Sequence, residues 1–203
     1  MNKIKICGLS RQCDIDAVNI AKPDFIGFVF ADKSKRKVSF ETALSLKNHL
    51  DKNIKSVGVF VNNDIDFIVS LVKSDIIDIV QLHGDEDESY IQLLKSKIKA
   101  PIIKAVRVKS TEDILSADKL SVDYLLLDTY TKGEYGGSGK TFDWKMIPEI
   151  SKPYFLAGGL NIENIKSALK VNAYCLDVSS GAETDGKKDK EKIIEIVKTV
   201  RSE

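Results

Sequence analysis

The feature that most constrains this chain is an alternation repeated along its whole length, in which short runs of strand formers are followed by segments with helical apolar spacing. Apolar runs at 3–9, 25–30, 56–61, 79–84, 102–108, 124–129, 154–160 and 173–178 predict strands. Between and after them the spacing predicts helices over 14–21, 41–50, 64–73, 86–97, 110–117, 143–150, 162–169 and 190–200. Asp14 is expected to cap the first helix and Ser39 the second. The continuous apolarity of Phe25 to Phe30 suits a parallel strand buried on both faces. About eight units of roughly 25 residues each lie near the lower size limit of a closed (β/α)8 TIM barrel, here one domain over 1–203. An open doubly wound sheet shares the alternation. Glycine-bearing turns after the seventh and eighth strands favour the barrel, in which those two loops commonly form a phosphate site.

The ends of the strands then matter most, because a barrel of this kind carries its site at their C-terminal side. Cys7 closes the first strand and is followed at once by Gly8. A lone cysteine is most often a small buried hydrophobe, so Cys7 is open between packing and chemistry. Asp128 ends the sixth strand after three leucines, where a desolvated carboxyl favours its neutral form and can act as a general acid; a turn cap is the alternative. His83 ends the fourth strand and reads as an orienting or hydrogen-bonding group, whereas His49 lies on a helix and is expected at the surface. Asp177, inside the last strand, reads as a satisfied structural partner. Gly158-Gly159 and Ser179-Ser180-Gly181-Ala182 place backbone N–H groups where a phosphate can approach without a Cβ in the way. Arg36, in the charged run 32–37, is a solvated charge or a bidentate carboxylate clamp. The segment 130–141 holds four of the 12 glycines and reads as a lid or ligand loop.

Composition narrows the partner. Lys+Arg 31 against Asp+Glu 30 leaves a net charge of +1, which gives no global field for nucleic acid or an anionic membrane and points to a small ligand, which the two glycine-bearing strand ends mark as phosphorylated. No apolar run of about 18 residues is present to span a bilayer. Cys7, Cys13 and Cys175 are odd in number and far apart, neither a disulfide framework nor a zinc spacing, so free thiols and the cytoplasm are expected, and no metal. Cys13 and Cys175 are expected to be packing residues. A thiolate that removes a proton from carbon, opposite a carboxylic acid that protonates an oxygen, is a constellation for proton transfer on a sugar phosphate.

Six motifs in order, IKICGL at 4–9, VQLHG at 80–84, LLLDT at 125–129, GGSGKTFDW at 136–144, LAGGLN at 156–161 and DVSSGAE at 177–183, make the chain resemble the phosphoribosylanthranilate isomerase family over its whole length. The resemblance implies the Amadori rearrangement of N-(5-phosphoribosyl)anthranilate to 1-(2-carboxyphenylamino)-1-deoxyribulose 5-phosphate in tryptophan biosynthesis. It implies no cofactor, and monomer and homodimer both stay open. By that resemblance Asp128 protonates the furanose ring oxygen, Cys7 removes the C2′ proton, and Arg36 meets the anthranilate carboxylate. SKRKVS at 34–39 carries lysine at 35 where the family usually has proline, and NIENI at 161–165 lacks a proline common there. The competing readings are the aminoaldose isomerase of histidine synthesis, whose family has aspartate where Cys7 stands, and a catalytically silent phosphate-binding barrel.

Overall fold

The computed structural model describes residues 2–129 and 141–202. Eight parallel strands close into a barrel in sequence order: β1 (Lys3–Cys7), β2 (Phe25–Val29), β3 (Lys55–Phe60), β4 (Ile79–Leu82), β5 (Ile102–Val108), β6 (Tyr124–Thr129), β7 (Tyr154–Leu156) and β8 (Cys175–Val178). The circle closes where β8 pairs with β1, with Lys5 opposite Asp177. Helices α1 (Gln12–Ala21), α2 (Phe40–Asn48), α3 (Ile65–Lys73), α4 (Glu88–Lys97), α5 (Thr111–Ala117), α6 (Ile165–Leu169) and α7 (Lys190–Arg201) lie between and after the strands. No helix among the described residues is long and apolar enough to cross a membrane.

The strand pleat sorts β1 into two sets. Ile4 and Ile6 face outward into the large apolar layer between strands and helices, which also takes Ile15 and Val18 of α1 and Ile193, Ile196 and Val197 of α7. Lys3, Lys5 and Cys7 therefore share the opposite, inward face. At the N-terminal end of the barrel Phe25, Phe155 and Tyr174 pack together, and the Lys3 ammonium lies 4.3 Å from the Tyr174 ring centroid and donates to its hydroxyl at 2.7 Å. At the other end Cys7, Val29, Ala31 and Val59 form a small apolar patch. Caps follow the side-chain chemistry: Ser39, Asp64, Asp87 and Asp189 each accept from the first turn of their helix.

Several expectations are corrected. The helix over 143–150 is only a 3-10 turn at Trp144–Met146, because Pro148 drives Ile147 to φ −72 and ψ 113, outside the helical region. The helix over 162–169 starts at Ile165, since the Asn161 and Asn164 side chains bond to nearby backbone N–H groups and hold a turn instead. Asp14 is not the N-cap of α1: Arg11 is, and Asp14 sits three residues on, accepting from the Ser10 and Arg11 N–H groups. Cys13 is exposed rather than packed, whereas Cys175 is buried. Glu183–Thr184 (β9) and Lys187–Lys188 (β10) form an unanticipated antiparallel hairpin, turned by Asp185 and Gly186 at φ 52 and 73. Of the expected lid, 130–140 lies outside the described residues.

The loops after β7 and β8 interlock. A Cβ on Gly181 would stand 2.0 Å from the Leu160 carbonyl oxygen and 2.8 Å from Asn161 Cα, both backbone atoms that cannot swing aside. Gly181→Ala is expected to lower unfolding free energy by about 1–3 kcal/mol, read by urea denaturation; an unchanged midpoint would show that the two loops are not in fixed contact.

Candidate active site

At the C-terminal end of the strands lies a cavity of about 710 Å³ lined by Cys7, Arg36, His83, Asp128 and Asp177, with Gly158, Gly159 and Ser180 on its wall. Eight of the nine sequence-derived candidates thus meet in one space. Gly181 does not line it and instead packs beneath Leu160.

Close approach of backbone and side chain shapes the Cys7 corner. A Cβ on Gly27, opposite Cys7 in the β1–β2 ladder, would fall 2.5 Å from Cys7 Sγ, so the thiol occupies the space that any side chain there would need. Gly8, at φ 89, lets the Arg36 side chain cross the end of β1, with only 2.5 Å between a built Cβ and Arg36 Cδ. Gly158 and Gly159 have φ 86 and 65, and Gly158 abuts Thr129 on β6.

Across the floor of the cavity runs a line of polar side chains, with Lys5 beneath it. The Lys5 ammonium, with no exposed surface, donates to Asp177 Oδ2 at 2.9 Å and to Gln81 Oε1 at 2.6 Å. Gln81 Nε2 is 2.9 Å from His83 Nδ1, and His83 Nε2 is 3.3 Å from Asp128 Oδ2. The direction of this line follows from donor chemistry. An ammonium only donates, so Gln81 must offer Lys5 its carbonyl and has its NH2 left for His83 Nδ1; that ring nitrogen accepts, and the imidazole hydrogen sits on Nε2, toward Asp128. The last contact is close but off the line of a hydrogen bond, and His83 Nε2 has no hydrogen-bond partner among the described residues. Asp128 Oδ1 accepts from the Thr129 N–H at 2.8 Å. Asp177 Oδ1 is likewise buried without a partner among the described residues, a spare acceptor at the cavity.

A second charged group borders the first. Glu183 receives Arg36 through two parallel bonds, Nε to Oε1 at 2.6 Å and Nη2 to Oε2 at 2.8 Å, and also pairs with the Lys188 ammonium, which donates to the Ser179 carbonyl at 3.0 Å. Burial works against the Glu183 carboxylate, but the hydrogen bonds from Arg36 and Lys188 outweigh it and hold its pKa below the ordinary value. Ser179 Oγ donates to the Cys7 carbonyl at 3.1 Å, tying this loop to β1. Among the described residues no group of three or more His, Cys, Asp or Glu side chains converges as a metal site would require.

No role for Lys5, Gln81, Gly27, Glu183 or Lys188 follows from the motifs, although Lys5, Gln81 and Glu183 lie within them. Lys5 had a signal in the period of two, which puts it on the face of Cys7, and the hairpin had one in the Asp185-Gly186 turn. Arg36, expected to be either free charge or clamp, has the clamp geometry, closed here on an internal carboxylate.

A model of the N-(5′-phosphoribosyl)anthranilate (PRA) isomerase family matches residues 4–199. The N-(5′-phosphoribosyl)anthranilate isomerase of Endomicrobium trichonymphae is 57% identical over 203 residues, all of both chains. The crystal structure of phosphoribosyl anthranilate isomerase from Thermotoga maritima is similar with a TM-score of 0.87 and 33% identity, each chain covered in full. A phosphoribosyl anthranilate isomerase solved in complex with reduced 1-(o-carboxyphenylamino)-1-deoxyribulose 5-phosphate matches with a TM-score of 0.82 and 32% identity, again over both whole chains.

Because the folded Glu183 is held below its ordinary value near 4.5, its ion pairs stabilise the fold above that value, and the contribution is lost as pH falls through the lower folded one. Glu183→Gln is expected to be less stable than the parent at neutral pH, with the gap in thermal midpoint shrinking steadily below pH 4.5. A gap independent of pH would remove the ion pairs as its source.

Proposed function

The chain belongs to the N-(5′-phosphoribosyl)anthranilate isomerase family, an isomerase of tryptophan biosynthesis, and from that premise we propose how its own residues divide the reaction. Asp128 is the general acid and Cys7 the general base. The carboxyl of Asp128 gives its proton to the furanose ring oxygen, the C1′–O bond breaks, and the nitrogen lone pair completes an iminium. Cys7 Sγ then takes the C2′ proton, and the C–H electrons form the C1′–C2′ double bond of an enolamine. Its hydroxyl proton leaves and C1′ is protonated, which gives the ketone. The observation that carries this reading is that the two groups, delivered by β1 and β6, open into one cavity whose rim also holds two glycine loops.

The remaining residues orient. Gly158, Gly159 and Ser180 receive the phosphate on bare backbone, with Gly181 holding the two loops together. Asp177 Oδ1, unpartnered among the described residues, accepts from a sugar hydroxyl. His83 faces Asp128 with its Nε2–H and steadies the carboxylate left after proton donation. Arg36 meets the anthranilate carboxylate; its pair with Glu183 runs through Nε and Nη2, which holds the guanidinium plane in place and leaves Nη1 pointing elsewhere for the ligand. Three free thiols support a reducing compartment, the cytoplasm.

The test is the loss of phosphoribosylanthranilate fluorescence with the substrate generated in place. Cys7→Ala and Asp128→Asn are each expected to lower kcat by at least about a hundredfold with the fold intact by circular dichroism. Near-parental turnover in either would remove that residue's role. Arg36→Ala is expected to raise KM more than it lowers kcat.

A further inference from the structure

A thiol base raises a problem that its position makes sharper. Cys7 is nearly sealed from water, and burial pushes its thiol above the ordinary range. Something must favour the thiolate. The charged groups facing Cys7 are Lys5 on its own strand, Asp177 on β8, Lys188 on β10 and Arg36 after β2.

Two of these cations are already committed to one carboxylate, since Arg36 and Lys188 both close on Glu183. Lys5 differs. It is two residues from Cys7 on the inward face of the same strand, has no exposed surface, and its ammonium bears three hydrogens, of which Asp177 and Gln81 take two. Asp177 spends one oxygen on Lys5 and keeps the other unpartnered among the described residues.

We propose that Lys5 is the positioning residue that holds Cys7 as the thiolate, its third N–H directed to the sulfur, and that Asp177 opposes it as a like charge. The inference rests on Cys7 being the base of the preceding section. It also gives the polar line a single source: the same ammonium that supports the thiolate turns Gln81 and so sets the His83 hydrogen toward Asp128. Consistent with this placement, Lys5 is the strongest influence lowering the Cys7 pKa, while Asp177 raises it.

The two charges therefore make opposite predictions, which a merely structural role does not. In a Cys13→Ser background, which removes the exposed thiol and leaves Cys175 buried, the rate of Cys7 alkylation by iodoacetamide is followed against pH with mass-spectrometric readout. Lys5→Met is expected to move the midpoint up by about one pH unit or more, and Asp177→Asn to move it down. If Lys5→Met does not fold, Lys5→Met/Asp177→Leu, which removes both buried charges, is expected to show the upward shift. An unmoved midpoint on loss of Lys5, or shifts of the same sign in Lys5→Met and Asp177→Asn, overturns the role given to Lys5. Because alkylation reads the sulfur and not turnover, a Cys7→Ala enzyme that still isomerises would instead overturn the assignment of Cys7 as base.

Discussion

A lysine ammonium with no exposed surface sits inside a barrel whose neighbouring layers are apolar, and much of the polar architecture serves to satisfy it. Breaking such a pair from one side costs about 3–5 kcal/mol, because the other charge is left buried and uncompensated. Asp177 and Gln81 therefore have little freedom to change independently of Lys5. The constraint passes on through Gln81, whose amide can face only one way, to the tautomer of His83. One charge thus governs both ends of the line: the ammonium that Asp177 and Gln81 satisfy in the barrel interior also sets the N–H that faces Asp128.

Around this centre the rim is built by atoms that are missing. Gly8, Gly27, Gly158 and Gly181 each stand where a Cβ would collide with Arg36, Cys7, Thr129 or the Leu160 backbone. These contacts join β1 to β2, β6 to β7 and the seventh loop to the eighth, so neighbouring strand ends are locked side by side. The β9–β10 hairpin adds an electrostatic clasp: Glu183 reaches Arg36 on the second loop, and Lys188 lies between it and Ser179. A site assembled from different loops gains its fixed geometry in this way.

The eight strands are legible in the sequence because each is a compact apolar run and because a parallel barrel needs no knowledge of register to be recognised. The convergence of Cys7 and Asp128 on one cavity is legible for a similar reason, since a barrel site draws on strand ends and both residues stand there. What cannot be read is partnership across the circle. Lys5 and Asp177 become neighbours only through the β1–β8 register, and nothing local to either residue names the other. The overextended helix at 143–150 is a different case: its apolar spacing is helical, but Pro148 forces the preceding residue out of the helical region. The second glycine loop, whose sequence reads as ligand backbone throughout, brings Ser179 and Ser180 to the cavity but not Gly181, which is small for the sake of its neighbour Leu160.

The Lys5–Asp177 pair spans 172 residues of chain, and the Arg36–Glu183 pair spans 147. Each cation leaves the ribosome long before its anion exists. Until β8 is made, β1 has a lysine directed to an interior that holds no counter-charge, and one of its edges has no strand to bond. Charge balance, ladder closure and the cavity wall therefore arrive together with the last stretch of synthesis. The residues that close the barrel are thus the same ones that complete the wall of the cavity.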